Sequence, residues 1–343
     1  MFMNNTKTMF CILFMASLLL SVNSQTYTET PDVKSRIDLK PDMTVLLYPE
    51  GQAAGKGIVE NGKKITFGPK EDNGLRGPEI CNSKGSRRNI GDDARMDFYF
   101  PKHNATGQMV IMTPGGGFFH VSTFNEGAYG SKWLTEHGVA VCVLKYRMPN
   151  GHKTVPLDDV QNAFRYCRYH AKEWGVKQLG VMGGSAGGYL AASASVYWTD
   201  SITRPDFSVL IYPRLKFITG EPCNTRDNLI GAPDLYANKV AEYEKLQKEL
   251  SPGNFVNAQT PPAFIILSAD DKSVPADNMI DYYTGLIKNG VSTELHVFPG
   301  GGHGWGFSSE DIVGKGKDKF VKYRKEFYAL LSHWLKERAK DIK

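Results

Sequence analysis

The chain has 343 residues, 41% of them hydrophobic and 22% charged, a balance that supports a sizeable buried core and excludes wholesale disorder. Its net charge of +5 is small against 41 basic and 36 acidic residues. The densest basic cluster, Lys315, Lys317, Lys319 and Lys322, is interrupted by Asp318 and short of aromatics; it reads as the solvated start of a helix, and no nucleic-acid partner is expected.

At the start of the chain, Lys7 precedes an apolar run from Met9 to Leu20, followed by Ser21-Val22-Asn23-Ser24-Gln25. A positive head, an apolar stretch of roughly 7–15 residues and short side chains at the −3 and −1 positions read as a secretory signal cut before Gln25. The run is shorter than the roughly 20 apolar residues of a bilayer span, and Cys11 lies inside it, where lipid anchoring is not expected. The expectation is a signal peptide over residues 1–24 and an exported protein, periplasmic or secreted, with no membrane partner after its removal.

Residues 25–95 are rich in Gly, Pro, Lys and Asp, with short strand-like pieces at Thr44–Tyr48 and Lys64–Phe67. They read as an extension packed on a main domain of residues 96–343. From about Ala94, apolar strand runs (Gln108–Met112, Val139–Tyr146, Gln178–Met182, Phe207–Tyr212, Ala263–Ser268, Glu294–Phe298) alternate with helical periods. The helices fall at Gly130–His137, Pro156–Trp174, Gly187–Trp198, Ala276–Asn289 and Asp318–Lys340. Such alternation predicts an α/β fold, a mostly parallel, doubly wound sheet with helices on both faces. One interval, near residues 213–262, is too long for a plain connection. Its turn-rich start (Gly220–Gly231) and helix-like Leu235–Leu250 suggest a small cap over a site. Among the cysteines, Cys142 and Cys167 fall in buried-looking elements, while Cys81 and Cys223 fall in loops where pairing stays open.

Four segments carry chemistry. Val181-Met182-Gly183-Gly184-Ser185-Ala186-Gly187-Gly188 runs from an apolar strand through Gly-x-Ser-x-Gly into a helix, the setting in which a serine is held on a sharp strand-to-helix turn as a nucleophile. Pro114-Gly115-Gly116-Gly117-Phe118 follows the strand Gln108–Met112. Its backbone N–H groups, assigned to Gly116 and Gly117, are candidates for an oxyanion hole together with that of Ala186. Gly300-Gly301-Gly302-His303-Gly304-Trp305 follows the last strand run; of the eight histidines only His303 sits in such a loop, where it can reach a serine. Ala269-Asp270-Asp271 ends the strand before it, and one of these carboxylates would orient the imidazole. The order serine, acid, histidine is that of α/β-hydrolases. Neither a His-Glu-x-x-His zinc motif nor a phosphate-binding Gly-x-x-x-x-Gly-Lys-Ser/Thr motif occurs, so no metal or cofactor is expected.

Together these segments, with Lys145-Tyr146-Arg147, Pro261-Pro262 and Asp271-Lys272-Ser273-Val274-Pro275, resemble the acetyl xylan esterase-like bacterial carbohydrate esterases of the α/β-hydrolase fold. The resemblance covers roughly residues 95–340. Where related lipases have His-Gly-Gly-Gly, this chain has Pro114 before its glycines. The resemblance places the acid four residues before the proline of the Val-Pro pair, which is Asp271. It implies a catalytic triad of Ser185, Asp271 and His303 and an acylated polysaccharide substrate. The activity it implies is that of a serine esterase removing small acyl groups, acetyl foremost, from plant polysaccharide such as xylan. Phe118 and Trp305 are expected to offer flat apolar faces to sugar rings. A feruloyl esterase or a general short-chain carboxylesterase would use the same machinery. An inactive binding module would be expected to have lost a triad residue, and a prolyl-type peptidase would need a far longer N-terminal propeller.

Overall fold

The computed structural model describes residues 39–48, 58–60, 63–65, 79–81, 85–91, 94–307 and 322–342. The expected signal peptide and the lysines at 315–319 lie outside them. The strands are β1 (Met43–Leu46), β2 (Ile58–Glu60), β3 (Lys63–Ile65), β4 (Ile80–Cys81), β5 (Ser86–Arg88), β6 (Arg95–Tyr99), β7 (Gln108–Thr113), β8 (Val121–Ser122), β9 (Ala140–Lys145), β10 (Gln178–Gly184), β11 (Ser208–Ile211), β12 (Ala263–Ser268) and β13 (Thr293–Phe298). The α-helices are α1 (Tyr129–Glu136), α2 (Val155–His170), α3 (Ser185–Val196), α4 (Asn224–Ile230), α5 (Val240–Glu249), α6 (Ile280–Lys288) and α7 (Arg324–Ala339).

Eight strands form one sheet in the order β1-β6-β9-β7-β10-β11-β12-β13. From β9 to β13 all neighbours run parallel, while β6 is antiparallel to both β1 and β9. Every residue of β7, β9, β10, β11 and β12 is buried, which requires a covering layer on each face and explains why these strands read as unbroken apolar runs. Helices α2 and α3 pack on each other in one layer. Helices α1 and α7 meet in the other, where Trp133 stacks on Tyr328 with ring centroids 4.8 Å apart. Among the described residues no helix is long and apolar enough to cross a membrane.

The extension contributes more than packing. β1 adds an antiparallel edge strand to the main sheet, with Val45 opposite Met96. β5 pairs with β8 of the main domain, with Arg87 opposite Val121. The turn-rich stretch Gly220–Gly231 contains the short helix α4, whose polar sequence gives no apolar period; it is held by the burial of Leu229 and Ile230 at its end. Strand β6 had no run of apolar residues to mark it, because only Met96 and Phe98 face the core. Among the described cysteines Cys81 is exposed while Cys142, Cys167 and Cys223 are buried, and no disulfide joins Cys81 to Cys223.

Candidate active site

β10 ends at Gly184 and α3 begins at Ser185, so the chain reverses through the serine itself, at φ 54°. That left-handed conformation costs a non-glycine residue about 1–2 kcal/mol. Close contacts around it explain the flanking glycines. A Cβ on Gly187 would overlap the Thr113 carbonyl oxygen, and one on Gly183 would overlap that of Gly187. Neither glycine has a positive φ; they are required by space, and the backbone strain rests on Ser185.

The Ser185 hydroxyl reaches His303 Nε2 at 2.7 Å. On the other side of the ring, Nδ1–H donates to Asp271 Oδ2 at 2.6 Å. The three side chains follow the ends of β10, β12 and β13, which belong to one run of four parallel neighbours, β10-β11-β12-β13; this is why residues so distant in sequence converge. Asp271 Oδ1 also accepts the backbone N–H groups of Ser273 and Val274 at 2.8 and 2.9 Å. Burial by itself would raise the Asp271 carboxyl; the hydrogen bonds from His303, Val274 and Ser273 together hold it below its ordinary value. Asp270 faces elsewhere and accepts the N–H of Gly302 at 2.7 Å, tying the histidine loop to the end of β12.

The glycine loop runs against the serine: a Cβ on Gly115 would come 2.9 Å from Cβ of Ser185. Its carbonyls are taken up in succession. Tyr146 donates to Pro114 O at 2.6 Å, Ser122 N to Gly115 O at 2.9 Å, and Phe119 N to Gly116 O at 3.0 Å. Asn228 of α4 donates to Gly117 O at 2.8 Å, so the long excursion does touch the site. In a trans peptide the N–H points away from the preceding carbonyl, so fixing the Gly115 and Gly116 carbonyls fixes the N–H groups of Gly116 and Gly117. Ala186 lies in the first turn of α3, where N–H groups have no intrahelical acceptor.

Two readings from sequence need correction. Phe118 is only 2% exposed and Trp305 only 6%. Phe118 packs edge-on against Tyr146 and Tyr189. Trp305 donates to Ser268 Oγ at 3.1 Å and packs edge-on against Tyr212. Both rings are spent on the core beneath the site and offer no face to a sugar.

One group that sequence reasoning passed over is Glu126. It sits in a wide helical turn (Phe124–Ala128) leading into α1, at non-helical φ −108° and ψ 17°. Its buried carboxylate accepts the N–H of Gly115 at 2.5 Å and the hydroxyl of Tyr212 at 2.6 Å. Burial first, and then the Glu126 charge, push the Tyr212 hydroxyl well above its ordinary value, so it remains a donor. Tyr212 in turn lies against the His303 ring at 4.8 Å. The only sequence signal was an acidic residue soon after a glycine loop. Among the described residues no group of three His, Cys, Asp or Glu side chains is placed to hold a metal ion.

This arrangement suits acyl transfer: a hydroxyl hydrogen-bonded to an imidazole, a carboxylate fixing the tautomer, and fixed backbone donors alongside. Residues 96–286 match the BD-FAE family model. Over 254 residues the chain is 34% identical to an acetylxylan esterase of Xylanibacter ruminicola, covering 72% of this chain and 49% of that protein. It is 25% identical to endo-1,4-beta-xylanase B of Butyrivibrio fibrisolvens, covering 71% of this chain and 41% of the other. The chain thus spans less than half the length of these two curated relatives. A solved acetyl ester-xyloside bifunctional hydrolase from Caldicellulosiruptor lactoaceticus superposes with a TM-score of 0.61 at 31% identity, covering 71% of this chain and 88% of that one. The chain belongs to the BD-FAE family and has the α/β-hydrolase fold.

Proposed function

We propose that the protein is a serine carboxylic ester hydrolase that removes acetyl groups from acylated xylan. The observation that carries this reading is the hydrogen-bonded chain Ser185–His303–Asp271 with the glycine loop lying against the serine. His303 takes the proton as Ser185 Oγ attacks the ester carbonyl, and Asp271 stabilises the imidazolium that results. The N–H groups of Ala186, Gly116 and Gly117 receive the oxyanion. His303 then returns the proton to the leaving sugar hydroxyl, and water, activated by the same imidazole, releases acetate. The acylated polysaccharide is supported by relatives whose names attach them to acetylxylan, xylan and acetyl ester-xyloside.

The decisive measurement is acetate release from acetylated xylo-oligosaccharides compared with ferulate release from methyl ferulate and feruloylated arabinoxylan. A higher kcat/KM on the acetylated substrate is expected; preference for the feruloyl esters would overturn the acyl assignment. Ser185→Ala should lose roughly 10³-fold or more in kcat with its thermal transition unchanged, and turnover like that of the wild type would refute the serine mechanism. Export is part of the same reading, resting on the sequence of residues 7–25. N-terminal sequencing from the native host should find Gln25 first, and a soluble product retaining Met1 would contradict it.

A further inference from the structure

The side chain of Phe119 has no part in the machinery above, to which the residue contributes only its backbone N–H. Two residues beyond Gly117, it is 54% exposed, while Phe118 at φ 60° turns its own ring inward. The turn is closed by the Phe119 N–H bond to Gly116 O, so the exposed ring stands on the rim of the loop that backs Ser185. It is also buttressed. The Arg88 guanidinium lies 4.4 Å from its centroid, and the His120 ring meets it edge-on at 6.5 Å. Arg88 is the last residue of β5, whose pairing with β8 brings it beside the segment after Phe119. Thr123 secures that pairing, donating through its hydroxyl and its N–H to Gly85 O at 2.5 and 3.1 Å.

An exposed aromatic ring with a guanidinium donor against it matches one chemistry well. A pyranose presents a flat patch of C–H groups that packs on an aromatic ring, with hydroxyls at its edge to accept from a guanidinium. We propose that Phe119 and Arg88 form a subsite for a sugar ring of the polysaccharide, on the alcohol side of the scissile ester. The alcohol side follows from the esterase reading on which this rests, since an acetyl group has no ring to stack. The subsite also gives the extension a role, because β5 supplies Arg88.

The test is Phe119→Ala and Arg88→Ala, assayed on acetylated xylo-oligosaccharides and on 4-nitrophenyl acetate, which has no sugar. Phe119→Ala should raise KM for the oligosaccharide about fivefold or more while changing kcat/KM for 4-nitrophenyl acetate by less than about twofold. Arg88→Ala should follow the same pattern more weakly, and Phe119→Trp should keep the oligosaccharide KM. Equal effects on both substrates, no effect on either, or an effect confined to 4-nitrophenyl acetate would overturn the subsite. A wild-type enzyme active on 4-nitrophenyl acetate but not on the oligosaccharide would instead overturn the substrate reading.

Discussion

Asp270 and Asp271 have the same side chain and adjacent positions, yet the fold gives them different work. The turn from Asp271 to Val274 wraps two backbone N–H groups onto Asp271 Oδ1 and leaves Oδ2 for His303. Asp270 anchors the histidine loop through Gly302. Asp271→Asn should therefore lower kcat by about 10³–10⁴-fold, because an amide favours the wrong imidazole tautomer, whereas Asp270→Asn should cost far less. The Asp271 carboxyl is held below its ordinary value, so the stability it lends is present above the unfolded value of about 3.9 and is lost as pH falls through the folded value. Thermal melts of Asp271→Asn should accordingly lose less stability than the wild type on acidification below about pH 4. An identical acid limb in both proteins would mean that Asp271 lends no such stability. At this scale the residues themselves offered two adjacent carboxylates, and only the family likeness singled out Asp271. Composition and spacing could not choose, because the choice is made by a four-residue turn.

Among the elements, the strand ends and glycine loops were legible because parallel strands buried on both faces leave continuous apolar runs and tight reversals leave glycines. Helix α4 and the turn holding Glu126 left no such mark. A seven-residue polar helix has no period to detect, and an isolated buried acid looks like any other acidic residue. Yet Glu126 joins the glycine loop to the end of β11, through Gly115 and Tyr212. We assign it a positioning role, since its carboxylate holds the loop whose N–H groups are proposed to receive the oxyanion. Glu126→Ala should lower kcat by about 10²-fold, the scale of a displacement near 1 Å, with KM little altered. Glu126→Gln keeps an acceptor for Gly115, and Tyr212 can turn its hydroxyl to accept from the new amide, so most of kcat should return. Failure of Gln to rescue would show that the charge, and not the geometry, is what matters.

Across the whole molecule, the segment Lys145-Tyr146-Arg147 ties the extension, the sheet and the site into one unit. Lys145 forms a buried ion pair with Glu79 of the extension, and Tyr146 holds Pro114 of the glycine loop. Arg147 binds Asp159 of α2 through Nε and Nη2 at 2.9 and 2.6 Å, both side chains being fully buried. Tyr48 of the extension donates to the same carboxylate at 2.6 Å and accepts from Arg147 Nη2 at 3.0 Å. Burial and the Asp159 charge push the Tyr48 hydroxyl up, which keeps it a donor at any working pH. From sequence this tripeptide was legible only as part of a family likeness, because its partners lie up to 99 residues away. The cost of breaking such a knot is asymmetric: the intact pair adds little net stability, but removing one partner strands the other charge in a low-dielectric interior. Asp159→Ala should destabilise the protein by roughly 3–5 kcal/mol, whereas Tyr48→Phe, which leaves the ion pair intact, should cost about 1 kcal/mol. Urea unfolding followed by circular dichroism distinguishes them. If the extension is fastened through this network, limited proteolysis of Asp159→Ala should cut between residues 39 and 94 before it reaches the strands from β6 onward; uniform loss of all regions would mean that the extension and those strands open together.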